Sequence, residues 1–165
     1  MRRLSRADLR RGKILLISLR RCRTPKGMSD RSAILAANAA FYAAFATGDA
    51  DGMARLWAED DNISCIHPGW PAIVGRLAVI ESWRDILGSA GRPQITCHDP
   101  NAIVTGNSGC VLCVELMGPV ALAASNHFRL INGEWQLSHH QSSPIAPSAS
   151  QSVGDPSSAP SGQIH

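Results

Sequence analysis

Asn126-His127-Phe128-Arg129-Leu130-Ile131-Asn132-Gly133-Glu134-Trp135-Gln136-Leu137-Ser138-His139 reads as two strands joined by a tight turn. Asn-Gly supplies the two left-handed residues of a type I′ loop, the connection whose twist matches antiparallel strands. With Asn132-Gly133 as that loop, Ile131 faces Glu134, Leu130 faces Trp135, Phe128 faces Leu137 and Asn126 faces His139. Directly opposed residues share one face of a sheet. Phe128, Trp135 and Leu137 are apolar, so their face is expected to meet the core and to carry Asn126 and His139 inward with it.

Strand-like runs continue upstream over 94–99, 102–105, 110–116 and 120–131, with the last strand over 134–142. Asn107-Ser108-Gly109 and Met117-Gly118-Pro119 punctuate them. A two-residue loop at Gly118-Pro119 puts Glu115 opposite Leu122 on the core face, whereas a three-residue loop turns it outward. Leu112, Val114 and Leu116 are expected to face out, beside inward Val111 and Cys113.

The first half of the body is helical. Over 30–47, Ile34, Asn38, Phe41 and Phe45 fall on one face, and Gly48-Asp49 ends the run. Asn38 on that face is either a core amide satisfied internally or a ligand contact. A short helix over 50–58 presents Met53, Leu56 and Trp57. A third, over 76–87, turns Leu77, Ile80, Trp83 or Arg84, and Leu87 inward. Between them a strand over 62–66 delivers His67, and Pro68 bars that strand from continuing. Residues 69–75 read as a turn-rich link. Helices followed by an antiparallel meander imply an α+β fold with the helices on one sheet face.

Composition removes several function classes. The chain has 165 residues, enough for one ordinary domain. Residues 1–28 hold ten of its sixteen Lys and Arg against Asp8 alone, while residues 29–165 hold six against twelve acidic side chains. The body is acidic, so no nucleic-acid partner is expected for it. No apolar run approaches the roughly 20 residues of a membrane span. Five cysteines, an odd number, do not read as a disulfide framework, and a reducing cytoplasm is expected. The basic leader, 1–28, reads as a disordered arm, a surface-binding helix, or an extension ahead of a start at Met28. The Ser/Pro/Ala-rich tail, 146–165, reads as disordered. The folded domain is expected over 29–145.

Phe41-Tyr42-Ala43-Ala44-Phe45-Ala46-Thr47-Gly48-Asp49-Ala50-Asp51-Gly52-Met53, with Leu56-Trp57-Ala58-Glu59-Asp60-Asp61 after it, resembles the opening of nuclear-transport-factor-2-like cone proteins. These include SnoaL-like proteins and ketosteroid isomerase. Ile66-His67-Pro68, Val74-Gly75-Arg76, Asn126-His127-Phe128-Arg129 and Gly133-Glu134-Trp135 extend the resemblance over about 30–145. It implies a cone of three N-terminal helices on a curved, mostly antiparallel sheet, and a homodimer through the convex sheet face. It also places His67 where ketosteroid isomerase has its carboxylate base, and Asn126 where that enzyme has an aspartic acid oxyanion donor. Phe41 or Tyr42 stands near its helix-one tyrosine. These replacements argue against steroid isomerisation and leave a pocket with a base and a donor.

The expected chemistry follows. A histidine titrates near neutrality, so His67 could take a proton without special tuning. Asn126 and His139 could hydrogen-bond an enolate or carboxylate oxygen. Tyr42, Asn38, Trp83, Glu115, His98 and Trp70 complete the expected binding set, with Trp70 as a lid or subunit contact. A small-molecule ligand is expected, with no cofactor and no metal. The leading reading is a cofactor-independent isomerase, cyclase or dehydratase of a small carbonyl compound. The alternative is a non-catalytic association module like the oligomerisation domain of calmodulin-dependent kinase, which shares the implied fold.

Overall fold

A computed structural model describes residues 30–146 of the chain. The expectations for the basic leader and the Ser/Pro/Ala-rich tail lie outside the described residues. Three helices come first: α1 (Asp30–Thr47), α2 (Ala50–Leu56) and, after strands β1 (Ser64–Ile66) and β2 (Ile73–Val74), α3 (Arg76–Gly88). Four long strands follow: β3 (Thr96–Thr105), β4 (Ser108–Met117), β5 (Val120–Ile131) and β6 (Glu134–Pro144). They form a six-stranded sheet in the order β2-β1-β6-β5-β4-β3, antiparallel except where β1 runs parallel to β6. This is the expected α+β architecture, with the helices on one sheet face.

The helices form where alanine-rich, face-segregated sequence permits. Gly48, at φ 72°, ends α1 in the left-handed conformation, and the Asp49 side chain caps α2 by accepting from the Gly52 backbone N–H at 2.7 Å. Ile34, Asn38, Phe41 and Phe45 of α1 are all buried, as the spacing predicts. The α2 helix ends one turn-fraction early, at Leu56, because Trp57 goes extended and bridges Leu137 in β6. Arg76 then ties α3 back to this corner, donating to the carbonyl oxygens of Ala54, Trp57 and Ala58 at 2.6–3.3 Å.

Three helical and strand expectations are corrected. Leu77 is exposed, while Val79, Ile80, Ser82, Trp83 and Leu87 form the buried face of α3. Leu77 lies about a third of a turn from the centre of that stripe at 3.6 residues per turn, and Arg84 is exposed as well. The supposed link over 69–75 contains β2, which pairs antiparallel with β1 through Ser64–Val74 and Cys65–Ile73. Likewise the two runs at 94–99 and 102–105 are one edge strand, β3, kinked between His98 and Asn101. Asp99 there takes φ 50°, and Pro100 is tolerated because a bulge on an edge strand needs no ladder N–H.

Register decides the site. The Gly118-Pro119 loop has two residues, so Met117 pairs Val120 and Glu115 pairs Leu122, both buried. Asn132 and Gly133, at φ 53° and 80°, form the expected I′-type loop, and the pairing runs as read through Phe128–Leu137. It then slips by one. His127 pairs His139 and Asn126 pairs His140, leaving Ser138 as a bulge residue whose hydroxyl donates to the His127 carbonyl at 3.1 Å. The predicted inward pair of Asn126 and His139 is therefore corrected: one extra residue moves every later side chain of β6 to the other face. His140 and Ser142 turn inward, and His139 turns out.

The Ile34 side chain of α1 packs directly over Gly109 of β4. A Cβ there would collide with Ile34 Cδ1 and crowd the Ile103 carbonyl oxygen at 3.2 Å. Gly109→Ala is expected to cost about 1–3 kcal/mol by overpacking, and Ile34→Val, which deletes that Cδ1, about 1 kcal/mol on its own. In the double variant the two penalties should fall short of their sum by at least about 0.5 kcal/mol. Urea denaturation of the four proteins measures this, and strict additivity would show that the two side chains do not collide.

Candidate functional site

Between α1, α3, the end of β1 and the inner face of β4 and β6 lies a cavity of about 230 Å³. Its walls are mostly ring systems, Phe41, Tyr42, Phe45, Trp70 and Trp83, with Ile86, Pro93, Ile95 and Met117 beside them. Three titratable side chains besides Tyr42 reach it: His67, Glu115 and His140. Trp70, 48% exposed, stands at the rim with its ring edge-on to His67 at 5.1 Å.

His67 sits one residue past β1, where Pro68 stops the strand and Gly69, at φ 78°, lets the chain turn so that the Trp70 N–H reaches the His67 carbonyl. The ring is 3% exposed and packs edge-on to Trp83 at 4.6 Å. Its Nε2 lies 3.0 Å from Ser82 Oγ, and that hydroxyl gives its own proton to the Val79 carbonyl at 2.8 Å. With its proton on that carbonyl, Ser82 accepts from Nε2–H, the tautomer in which Nδ1 keeps its lone pair. The remaining polar neighbour of Nδ1 is the Cys65 sulfur at 3.8 Å. Burial lowers the His67 pKa to about 4, so the ring is neutral at physiological pH.

Beneath the cavity runs a chain of buried amides. Asn126 Nδ2 donates to Asn38 Oδ1 at 2.7 Å and to the Tyr42 hydroxyl at 3.3 Å. Its Oδ1 must then accept from His140 Nδ1–H, 2.6 Å away, which leaves His140 Nε2 as an acceptor. Burial, with His67 and His139 adding to it, lowers the His140 pKa to about 3. Asn38 Nδ2 leans on the Cys97 sulfur at 3.7 Å.

Among the described residues Glu115 is the one acidic side chain in the cavity wall, and it is 2% exposed. Tyr42 donates to its Oε1 at 2.8 Å and Ser142 to its Oε2 at 2.5 Å. With the Tyr42 proton committed there, the Cys113 thiol, 3.1 Å from the phenol oxygen, is the donor in that contact. Burial raises the Glu115 pKa while the two hydroxyl donors work against the rise. Burial and the nearby carboxylate also push the Tyr42 hydroxyl well above the usual phenol range. Among the described residues no Lys or Arg lines the cavity, and no group of three or more metal-ligating side chains is assembled.

Of the residues singled out by sequence, His67, Tyr42, Trp83, Glu115 and Trp70 come together at the cavity. Asn38 and Asn126 are buried one layer behind it. Two do not join them. His139 lies on the outer sheet face, its Nδ1 2.8 Å from Ser64 Oγ and its ring 5.4 Å from that of His127. His98 is exposed on the edge strand, with Nε2 2.9 Å from Thr96 Oγ1. Strand β3 continues past that point through its bulge instead of ending there, so the side chain stays on the exposed edge. Ser82, His140 and Ser142 were missed. Ser82 alone left a signal, since it falls beside Trp83 on the inward stripe of α3.

Relatives carry the same architecture. Residues 34–147 match the sequence profile of the SnoaL-like domain. A solved candidate association domain of calcium/calmodulin-dependent protein kinase type II from Thiobacillus denitrificans is 32% identical, with a TM-score of 0.63 over 68% of this chain and 94% of that one. A candidate dehydratase of the NTF2-like family from Streptomyces avermitilis is 30% identical, with a TM-score of 0.65 over 72% and 97%. The F-box protein SKIP8 of Arabidopsis thaliana is 27% identical over 115 residues, 67% of this chain and 49% of that protein, so the chain spans about half the length of this curated relative. With a profile that runs through all three helices and the whole sheet, the chain belongs to the SnoaL-like domain family, within the NTF2-like cone fold.

Proposed function

We propose that the cone binds a small, largely apolar organic molecule and that His67 moves a proton in a cofactor-independent reaction of a carbonyl compound. Dehydration fits the site better than isomerisation or cyclisation. The observation that carries this reading is the Ser82 contact, which favours the His67 tautomer with the hydrogen on Nε2 and leaves Nδ1 unprotonated in a ring that lines the cavity. The volume, about 230 Å³, suits a compound of one or two rings.

A reaction that builds a full enolate needs donors waiting for the oxygen. The Asn126 amide, expected to serve, is spent on Asn38, Tyr42 and His140. Elimination from a β-hydroxy carbonyl compound asks for less. His67 Nδ1 takes the α-proton, and the C–H electron pair becomes the new C=C bond. The C–O bond to the β-hydroxyl breaks with its pair, and the proton on Nδ1 passes to the leaving oxygen as water. A ring with pKa near 4 is a strong acid once protonated, which favours the second half of that exchange. The similarity to a candidate dehydratase supports the same class.

A second reading rests on the other sheet face, where Ile103, Leu112 and Leu116 are exposed. Association of two copies through this convex face would cover them, and the similarity to an association domain supports it. The free cysteines, among the described residues Cys65, Cys97, Cys110 and Cys113, favour a cytoplasmic setting. No helix among the described residues is long and apolar enough to cross a membrane.

The full-length chain should gain several degrees in Tm from one- or two-ring β-hydroxy ketones, aromatic ketones or enones, since ligand at 100 times Kd adds about 2.7 kcal/mol. For a compound that turns over, followed by enone absorbance, His67→Gln should lose about 10²–10⁴-fold in kcat and keep most of the thermal shift. The wild-type kcat/KM should stay level below neutrality and fall only as pH nears about 4, the His67 value. A fall centred near 6.5, the ordinary histidine value, would reject His67 as the base. If no compound shifts Tm, and Leu112→Glu dissociates an oligomer seen by light scattering, the association reading replaces the enzymatic one.

A further inference from the structure

The polar side chains at the cavity are mostly acceptors. His67 and His140 both line it, and with each ring's N–H committed, to Ser82 and to Asn126, each keeps a lone pair on its other nitrogen. Glu115 accepts one hydroxyl on each oxygen and has a lone pair left on each. The hydroxyl donors nearby are used up: Tyr42 and Ser142 on Glu115, Ser82 on the Val79 carbonyl. The remaining donors in the wall are two neutral indoles. That of Trp83 is buried without a partner in the protein, and that of Trp70 stands at the rim.

A carboxylate in such a place lacks the one thing that would stabilise it, a cation. Two hydroxyls share its charge but do not cancel it, and no basic side chain lines the wall among the described residues. Around it stand the ring faces and edges of Phe41, Tyr42, Phe45 and Trp83, and aromatic faces attract cations when water is kept out. An anionic ligand meets the opposite conditions, a buried negative charge and two acceptor nitrogens.

We propose that the cavity selects a small cyclic ligand bearing a protonated amine, which donates to Glu115 and lies against the aromatic wall. The inference rests on the cavity being a ligand site and adds the charge and donor character of the ligand to that reading. It replaces the expectation that the pocket would receive a carboxylate or enolate oxygen. The two imidazole lone pairs are further acceptors for the ammonium hydrogens, which explains why a site with one carboxylate can satisfy a group with up to three donors. Glu115 acts here as a binding residue, independent of whether His67 performs chemistry.

A size-matched series separates charge from shape: 2-phenylethylamine, protonated at pH 7, against 2-phenylethanol and phenylacetate, titrated calorimetrically into the full-length chain. The amine should bind at least about tenfold tighter than the alcohol, the combined yield of one charge-assisted hydrogen bond and one cation–π contact. Phenylacetate should be weakest. Glu115→Gln should erase the preference for the amine while leaving the alcohol within about twofold, with circular dichroism confirming the fold. The wild-type ranking decides the matter even if that variant does not fold. Equal binding of all three, or phenylacetate as the tightest, would overturn the amine and leave the cavity as a site. Binding by none of the three would overturn the cavity reading along with it.

Discussion

One extra residue in β6 sets the interior of this protein. Ser138 has no partner across the ladder, and its hydroxyl anchors the bulge to the His127 carbonyl. Without it, the alternation begun by Trp135 and Leu137 would carry His139, Gln141 and Ser143 inward. With it, His140 and Ser142 face the helices, where one completes the Asn38–Asn126 chain and the other binds Glu115. The bulge also sets the neighbour. β1 pairs parallel to β6 just past it, Cys65 beside His140, so His67 two residues on shares the inward parity and reaches the cavity. A strand face can hold four polar groups under an apolar cap only if their partners arrive in register, and this single shift brings them.

Those polar groups are expensive to bury. An amide or hydroxyl left without a partner in a core costs about 1–3 kcal/mol, and a lone charge more. The network answers each demand locally: both Asn126 amide atoms are engaged, both Glu115 oxygens are engaged, and each buried imidazole has one nitrogen fixed. What it does not supply is charge balance at Glu115. An apolar side chain of the same size would pack there at less cost, since buried ionic groups rarely add net stability. The arrangement makes physical sense as a binding surface with a vacancy for positive charge, and much less as a device for holding the fold together.

The sequence carried the architecture because its signals were local and periodic. Ile34, Asn38, Phe41 and Phe45 mark one face of α1, Gly48 marks its end, and Asn132-Gly133 marks the last hairpin; each depends on neighbours within a turn or two. Glu115 was only half legible: sequence leaves a two- or three-residue loop open at Gly118-Pro119, and the observed two-residue loop turns it inward. The errors have a common cause. Counting residues outward from a turn holds only until the first bulge, and Ser138 or Asp99-Pro100 offered nothing that distinguishes a bulge from a paired residue. Counting therefore brings His139 inward where the fold brings His140, and ends a strand at His98–Asp99 where β3 continues. Leu77 shows a different limit: hydrophobicity proposed an inward face for α3, but Arg76, anchored on three carbonyls of the α2 corner, fixes the helix rotation.

The two functional readings of the domain divide along one strand. In β4 the residues Val111, Cys113 and Glu115 face the core and the cavity, while Leu112 and Leu116 face out from the sheet. A period of two separates these sets completely, so a side chain that binds ligand is not one that could meet a second copy. The faces are nonetheless mechanically joined, because the backbone that spaces Leu112 and Leu116 also positions Glu115 against Tyr42. Covering the outer face would stiffen the strand that carries the carboxylate and lower the entropy lost when a ligand orders it. Association and ligand binding are therefore compatible in this fold, and the register of β4 is the physical element through which one would favour the other.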